Sequence, residues 1–303
     1  MMLSVIIATR DRTKLINNCL NSILSNTFTT YEILIIDQSK VDDLPKKINS
    51  PIPKRVKYFR LKDVGKSKSL NFGLQKSRGE IIVFIDDDCI VDKDWLENIN
   101  QSFQKNKNIV GIFGKVLPYN SQSNKEKICP CIFLKKERKI ITKPCLHWKH
   151  IGFGNNMVFK RMIFDKLGSF KEWLGAGSIA KSTEDAEFAL RCLIKGYRLF
   201  YDPKIIVYHN RWLTKEQYHK QSLSYSCGEV ACYGYFCFQG LKLGKQVVVN
   251  NFKDSYWKFR KAIKSLLFFK KKGVELLLNC LEELFYRLRG FALAWYFSKK
   301  EPI

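Results

Sequence analysis

The sequence predicts an α/β fold: a mixed, mostly parallel sheet flanked by helices, with a C-terminal helical extension. Two patterns lead to this prediction. Short β-branched runs alternate with longer helical stretches in the first part of the chain, and the runs are apolar throughout, as in strands buried on both faces. Beyond residue 214 the sequence becomes helical, aromatic and basic. We therefore expect a catalytic or binding domain over residues 1–214 and an extension over residues 215–303.

The strand-like runs of the first half are LSVIIAT, YEILIIDQ, RVKYFRL and EIIVFID. Between the first two, TKLINNCLNSILS places Leu15, Cys19, Leu20 and Ile23 on one helical face, which is typical of a βαβ unit. Residues 118–150 are rich in Lys, Ser, Cys and Pro and predict an irregular insertion. The helix TEDAEFALRCLIKGY and the strand RLFYDPKIIVYH complete the domain.

Charge is the unusual feature of the composition. Lys and Arg number 53 against 28 Asp and Glu, which gives a formal net charge of +25. Such a surplus favours an anionic partner, which could be a nucleic acid, an acidic lipid surface or a phosphorylated substrate. The basic residues form no recognisable RNA- or DNA-binding module, so we expect no nucleic-acid partner.

The chain starts with MMLSVIIATR, which has no basic leader and only a short apolar run, so we expect no secretory signal. No window reaches the roughly 18 apolar residues that a spanning helix needs, and we expect a cytoplasmic protein. Its ten cysteines are then most simply reduced thiols. Cys129, Cys131, Cys145 and His147 could instead bind zinc, although their spacing lacks the usual CxxC pair.

The stretch FIDDDC places Asp86, Asp87 and Asp88 at the end of a predicted strand. Adjacent carboxylates repel one another unless they are solvated, cap a helix or surround a cation. Ligands of open α/β sheets bind outside the carboxyl ends of the strands, so Asp86 and Asp88 could hold a divalent cation and the phosphates that it bridges. A solvated strand-to-helix cap is the alternative.

Polar residues also end the first two predicted strands. Thr9, Arg10 and Arg12 follow the first strand, and Asp37 ends the second. At this sheet edge Asp37 could bind a nucleotide base and ribose while the arginines face phosphate, or these residues could simply end strands.

Three later motifs contain polar residues for which the sequence allows more than one role. GKSKSLNFGL contributes Lys68 and Asn71 but lacks the spacing of a P-loop, which disfavours a P-loop NTPase. Glu184 and Asp185 lie in the first turn of a predicted helix, where a carboxylate either caps the helix or acts as a general base. His209 ends a late strand and is either structural or a metal ligand.

Taken in order, these motifs, with GFGNNMVFKR and LGAGSIAKSTEDAEFALRCLIKGYRLFYDP, resemble the family 2 inverting glycosyltransferases of GT-A (Rossmann-like) fold. The resemblance covers roughly residues 3–211, and the block from Leu174 to His209 is its most specific part. That block also resembles rhamnosyltransferases. Two features depart from the family: Leu70 stands where many relatives have an arginine, and the QxxRW element of processive synthases is absent, which favours transfer of a single sugar.

The resemblance implies a role for each motif. Asp86 and Asp88 would hold Mn²⁺ or Mg²⁺ on the donor diphosphate, with His209 completing the metal shell. Asp185 would be the base, with Glu184 beside it. An ordinary aspartate pKa of about 4 would leave Asp185 ionised. The donor nucleotide would be bound by Thr9, Arg10, Arg12, Asp37, Lys68, Asn71 and Asp87, and the acceptor side would include Gly154, Asn155 and Asn156.

The expected function is metal-assisted transfer of a sugar, with inversion, from a nucleoside-diphosphate donor, UDP being favoured, to a hydroxyl of a glycan or lipid-linked glycan. A dTDP-rhamnose donor is the alternative within this class. From other classes, a basic nucleic-acid-binding protein and an inactive scaffold are the alternatives.

The tail adds two helical patterns. YWKFRKAIKSLLFFKKK places Phe259, Ile263, Leu266 and Leu267 on one face, and basic residues accompany them at Lys258, Lys261, Lys264 and 270–272. This pattern predicts a helix lying on an anionic membrane, and hence peripheral attachment at the cytoplasmic membrane face. The second helix has a heptad-like seam over 274–295 that could form a homo-oligomer: Val274, Leu278, Leu281, Phe285, Leu288, Ala292 and Trp295. The alternative is that both helices pack against the catalytic domain.

Overall fold

A computed structural model of the chain describes residues 1–41, 44, 48, 53–121, 126–147, 150–268 and 270–301, with side chains for all of these except Lys270 and Lys271. The chain forms two compact units. The first comprises residues 1–144, 148–172 and 184–215, and the second comprises residues 145–147, 173–183 and 216–303. Two short segments from within the first 214 residues thus belong to the helical unit.

The first unit is built on a nine-stranded sheet with the order β3-β2-β1-β4-β8-β6-β9-β5, in which β7 also pairs with β9. β1, β2, β3 and β4 are parallel to one another, as are β6 and β9, whereas β5, β7 and β8 run antiparallel to their neighbours. The predicted mixed, mostly parallel sheet with a C-terminal helical region is confirmed. The strands are β1 Leu3–Thr9, β2 Tyr31–Asp37, β3 Val56–Arg60, β4 Ile81–Asp86, β5 Cys89–Val91, β6 Ile109–Pro118, β7 Lys139–Ile141, β8 Asn156–Lys160 and β9 Arg198–His209.

Helices accompany these strands and form the tail. Along the sheet the helices are α1 Thr13–Leu24, α2 Lys66–Lys76, α3 Trp95–Lys105, α4 Arg161–Leu167 and α5 Glu184–Ile194. The tail is formed by α6 Lys215–Phe238, α7 Lys242–Phe268 and α8 Lys270–Lys300. Across the described ranges, no helix is long and apolar enough to cross a membrane.

The central strands form because their side chains are buried on both faces of the sheet. β2 is buried along its whole length, and α1 packs Ile16, Cys19, Leu20 and Ile23 into the same core. Burying one such aliphatic side chain contributes about 1.5–3 kcal/mol. The parallel register then brings the strand ends together, since Thr9 pairs with Asp37 and Ala8 pairs with Asp86.

β9 contains a bulge that sets the position of its last residue. Gly114 of β6 pairs with Asp202 of β9, but the next residue, Lys115, pairs with Ile206, so β9 has three extra residues there. Asn156 fixes the bulge: its amide nitrogen donates to the carbonyls of Lys115 and Ile205, and its oxygen accepts from the Trp95 indole. The side chain of Asn156 is therefore bonded within the sheet, contrary to its predicted place on the acceptor side.

A buried ion pair anchors α5, the helix that carries Asp185. Glu187 accepts two hydrogen bonds from the Arg191 guanidinium, and both side chains are buried. Arg191 also donates to the carbonyls of Leu167, the last residue of α4, and of Ser169, just beyond it. These bonds fix α5 to the chain after α4, and so fix the direction of its first turn.

Candidate active site

The acidic triplet consists of Asp86, the last residue of β4, and of Asp87 and Asp88 in the turn that leads to β5; we call this segment the acidic turn. Each of its carboxylates faces a cation from another part of the chain. The Lys66 ammonium, at the start of α2, lies 2.6 Å from Asp86 Oδ1. Arg12 lies 2.9 Å from Asp87 and 3.1 Å from Asp88. Mutual repulsion among the three carboxylates is thus offset by cations of this chain, and the triplet is not a solvated cap.

Asp87 is the most tightly held of the three. Its two oxygens accept hydrogen bonds from the Thr9 hydroxyl at 2.7 Å and from Arg12. Burial, together with the charge of Asp88, raises the pKa of Asp87 to about 6. Thr9 and Arg12, both predicted to face the nucleotide, therefore support the acidic turn directly.

Asp88 pairs with His209 at the end of β9, where Cys89 and His209 are cross-strand partners. His209 Nε2 lies 3.3 Å from Asp88 Oδ1, and both residues are buried. Burial opposes charge on both groups, but their hydrogen bond and mutual attraction raise the pKa of His209 to about 10 and lower that of Asp88 below its ordinary value.

The Asp88–His209 pair fits a divalent cation. His209 Nδ1 lies 2.8 Å from the carbonyl oxygen of Pro130, which can only accept, so Nδ1 carries a proton. Nε2, which carries the second proton of the imidazolium and faces Asp88, is the nitrogen that could bind a metal once that proton is lost. One carboxylate and one imidazole suit Mn²⁺, whose remaining positions substrate phosphates and water can fill. Cys89 is nearby, but burial raises its pKa well above the ordinary value, so its thiol is a poor ligand.

The geometry differs from two of the predicted metal sites: Asp86 with Asp88, and the cluster of cysteines with His147. Within the ranges that the structure describes, Asp88, Cys89 and His209 form the one group of three or more candidate ligands, and the carboxylate of Asp86 is bound by Lys66 instead. The four candidate zinc ligands, Cys129, Cys131, Cys145 and His147, do not form such a group.

Asp185 lies in the first turn of α5, where the helix macrodipole favours a carboxylate. Its oxygens accept hydrogen bonds from the backbone N–H groups of Gly154 at 2.6 Å and Ala186 at 2.8 Å. Burial and the adjacent charge of Glu184 raise the pKa of Asp185 to about 7. The expectation of an ordinary aspartate pKa is wrong, and the group titrates near neutral pH.

Lys66 connects the acidic triplet to the Glu184–Asp185 pair. Its ammonium lies 2.6 Å from Asp86 and 3.3 Å from Glu184, and these carboxylates hold its pKa well above the ordinary value although burial opposes the charge. The sequence predicts a ligand-binding role for Lys68 of the same motif, and not for Lys66. Lys68 instead pairs with the exposed Asp63 at 3.5 Å.

Gly154 and Asn155 form the turn that faces Asp185. A Cβ on Gly154 would lie 2.9 Å from Asp185 Oδ2, so only glycine allows this approach. The side chain of Asn155 is buried, and neither its amide nitrogen nor its amide oxygen has a hydrogen-bond partner among the residues that the structure describes. A buried carboxamide with both polar atoms unpaired is unfavourable by about 1–3 kcal/mol per group.

The remaining predicted residues have varied surroundings. Asp37 is fully buried at the end of β2 and accepts hydrogen bonds from the Ser39 backbone and the Tyr58 hydroxyl. Arg10 is exposed and lies 3.7 Å from Asp11. The amide of Asn71 is bonded to the backbone of Phe170 and to Glu172, so it joins α2 to that segment instead of facing the triplet.

Comparison with known families identifies the chain. The family described as "Glycosyl transferase family 2" matches residues 4–168, which is more than half of the 303 residues. The chain belongs to glycosyl transferase family 2. The match contains the acidic triplet, Lys66 and the Gly154 turn of this family 2 protein, whereas Asp185 and His209 lie beyond its end.

Individual relatives of this family 2 protein are distant. An uncharacterized glycosyltransferase of Rickettsia conorii is 33% identical over 109 residues, which are 36% of this chain and only 18% of the relative's own length. GalNAc(5)-diNAcBac-PP-undecaprenol beta-1,3-glucosyltransferase of Campylobacter jejuni is 27% identical over 205 residues, 65% of each chain. The mannosyltransferase PcManGT of Pyrobaculum calidifontis, solved with GDP-Man and Mn²⁺, has a similar fold: the TM-score is 0.62 at 16% identity, covering 94% of this chain and 86% of that one.

The geometry predicts which acidic residues bind a metal. In the presence of UDP, Asp88→Asn and His209→Gln should each weaken Mn²⁺ binding about tenfold or more, because each removes one of the two side chains that fit the metal. Asp86→Asn should have a much smaller effect, since Lys66 binds that carboxylate. The measurement is the EPR signal of free Mn²⁺ during titration, with Glu97→Gln as control. Equal losses in the Asp86 and Asp88 variants would show that the triplet acts only as a diffuse negative charge.

Proposed function

We propose that this family 2 protein is a metal-assisted, inverting glycosyltransferase with Asp185 as its base. One observation carries the proposal: Lys66 bridges Asp86 of the acidic turn and Glu184, the neighbour of Asp185. A single cation thus links the carboxylates on the donor side to the helix turn that holds the base. A sugar bound between them would have its leaving group on one side and the acceptor hydroxyl on the other.

Asp185 is suited to accept the proton of an acceptor hydroxyl. Each of its oxygens has one backbone hydrogen bond, which fixes the carboxylate and leaves further lone pairs free. A base whose pKa lies near the working pH combines a useful ionised fraction with a strong tendency to take the proton. Attack from the face opposite the leaving group would invert the anomeric centre.

The donor side is proposed to bind a nucleoside diphosphate. Asp88 and His209 would hold Mn²⁺, which when bound would neutralise charge on the departing diphosphate. Arg12 would lie beside the same phosphates. Asp37 is buried at the end of β2 and would act on the base and ribose through its partners Ser39 and Tyr58. A UDP-sugar is the favoured donor. A thermal-shift screen of UDP-sugars, dTDP-rhamnose and GDP-mannose with Mn²⁺ would rank the candidates. If dTDP-rhamnose or GDP-mannose stabilises the protein and no UDP-sugar does, a UDP-sugar donor is excluded.

The acceptor is proposed to be a hydroxyl of a glycan or a lipid-linked glycan. The Campylobacter relative is named for an undecaprenol-linked substrate, and the protein TarS of Staphylococcus aureus, 24% identical over 204 residues, is named a poly(ribitol-phosphate) N-acetylglucosaminyltransferase. A preparation of lipid-linked glycans should therefore accept label from the donor, and label transfer only to water would argue against this acceptor class.

Replacing the proposed base tests the chemistry. Asp185→Asn should lower turnover by about 10²–10⁴-fold, because the carboxamide cannot accept the proton. Binding of UDP and Mn²⁺, measured by calorimetry, should remain, and Asp165→Asn, an exposed aspartate on α4, should behave as wild type. Near-native turnover in Asp185→Asn would rule out this residue as the base.

The pH dependence tests the environment of Asp185. The base works when ionised, so kcat/KM should rise with pH up to about 7, the raised pKa of Asp185, and then level off. Glu184→Gln removes the negative charge that helps to raise this pKa, so the rising limb should move to lower pH. The readout is the midpoint of the pH–rate profile, with Glu97→Gln as the control. A midpoint that stays in place after Glu184→Gln would show that another group limits the rate.

Asn155 is proposed to bind a sugar, since a carboxamide with an unpaired donor and an unpaired acceptor matches two adjacent hydroxyl groups. Asn155→Ala should raise the KM of donor or acceptor about tenfold while kcat changes little. The same variant should not lower the midpoint of thermal unfolding of the ligand-free protein, because it removes an unpaired buried group. Asn100→Ala, which alters a buried asparagine of α3, is the control. An unchanged KM together with lower stability would make Asn155 a packing residue.

A further inference from the structure

The second half of α7 presents aromatic, aliphatic and basic side chains to the exterior. They form two adjacent stripes, each with the spacing i, i+4, i+7 and i+11 that keeps residues on one side of a helix. We name the two stripes together the α7 face: Tyr256, Arg260, Ile263 and Leu267, and beside them Trp257, Lys261, Lys264 and Phe268.

The apolar members of the α7 face are far more exposed than such residues normally are. Leu267 is 77% exposed, Phe268 is 70% exposed and Trp257 is 60% exposed. The other side of the helix packs within the second unit: Asn251 and Ser255 are buried and accept hydrogen bonds from Arg287 of α8. A grouped set of large exposed side chains of this kind marks an interaction surface.

The charge of α7 selects the kind of partner. Asp254 is the one acidic residue of α7, and its carboxylate is bound by Lys258 and Arg287. Seven basic residues accompany it: Lys242, Lys245, Lys253, Lys258, Arg260, Lys261 and Lys264. Arg260 lies 5.9 Å from the Tyr256 ring centre and 5.3 Å from that of Trp257, so cation and aromatic rings form one surface.

The end of α7 places its most exposed apolar residues at the tip of the α7–α8 hairpin. A Cβ on Gly273 would lie 2.2 Å from the Cα of Leu266, so glycine permits the two helices to meet closely just beyond the tip. Leu267 and Phe268 lie at this tip, and Lys272, in the first turn of α8, is exposed as well. The side chains of Lys270 and Lys271, which the sequence also assigned to this surface, lie outside the described residues.

The seam of α8 differs from the α7 face in charge. All seven of its predicted positions over 274–295 are exposed, but Glu275 and Glu282 lie beside the seam and are exposed as well. Carboxylates are repelled by an acidic lipid surface. An anionic surface therefore matches the α7 face and not the α8 seam, for which a second copy of the chain would be the alternative occupant.

We propose that the α7 face binds the surface of an anionic membrane. Tyr and Trp rings favour the boundary between headgroups and acyl chains, and Leu267 and Phe268 can enter the apolar layer. Arg260, Lys261 and Lys264 then lie at the level of the acidic headgroups and attract them. This binding needs no sugar donor, so it can hold or fail independently of the proposed transfer reaction.

Vesicle co-sedimentation of the full chain, without nucleotide sugar, tests the proposal. The protein should sediment with vesicles that contain phosphatidylglycerol, remain in solution with vesicles of phosphatidylcholine alone, and dissociate as NaCl concentration rises. Lys261→Gln with Lys264→Gln should lower the partition coefficient about tenfold or more, as should Leu267→Ser with Phe268→Ser. Lys242→Gln with Lys245→Gln, the same charge change at the other end of α7, should have a much smaller effect.

Three results would overturn the proposal. The full chain could stay in solution with acidic vesicles at low salt, or the Lys242 and Lys245 control could lose as much binding as the variants of the α7 face. Sedimentation velocity could also reveal a dimer that Leu267→Ser with Phe268→Ser converts to a monomer, in which case a second copy covers this surface. Circular dichroism melting of each variant would establish that the helices remain folded.

Discussion

The charge balance of the acidic turn is the constraint on which the site depends. Three adjacent carboxylates end β4, and their neutralising cations come from three distant parts of the chain: Lys66 at the start of α2, Arg12 before α1 and His209 at the end of β9. Removing Lys66 or Arg12 would leave Asp86 or Asp87 without its cation, whereas Asp88 faces both Arg12 and His209. The sheet and its helices must therefore be in place before the acidic turn is stable. Once formed, the acidic turn fixes the strand ends around it.

The same network controls the electrostatics of Asp185. Burial and Glu184 raise its pKa, whereas Lys66 acts in the opposite direction, and the outcome is a carboxyl group that titrates near neutral pH. Lys66 thus shares its charge between Asp86 and Glu184. A ligand that competes for Lys66 on the donor side would weaken its attraction for Glu184, so the two halves of the site are electrostatically coupled.

Much of the fold was predictable from local pattern. Apolar runs such as LSVIIAT became buried strands, and polar residues at strand ends gathered at one sheet edge, because parallel strands share their carboxyl ends. The sequence could not indicate whether Lys66 or Lys68 pairs with the acidic turn, since this depends on which side of α2 faces that turn. Asn156 was also misassigned, because its bonds to Lys115 and Ile205 join residues far apart in the sequence. The raised pKa of Asp185 likewise depends on burial, which no motif specifies.

The bulge in β9 determines more than a local irregularity of the sheet. Side chains of a strand alternate between its two faces, so each residue added or removed upstream turns the following side chains over. His209 faces Asp88 in the register that this bulge sets, in which Ile206 pairs with Lys115 and His209 with Pro118. A deletion or insertion of one residue between Ile206 and His209, where each residue pairs with one of β6, would move the imidazole to the opposite face even if every side chain of the site were kept. The tolerance of this strand segment to changes in length is therefore a matter of parity, because a change of two residues keeps the face on which His209 lies and a change of one does not.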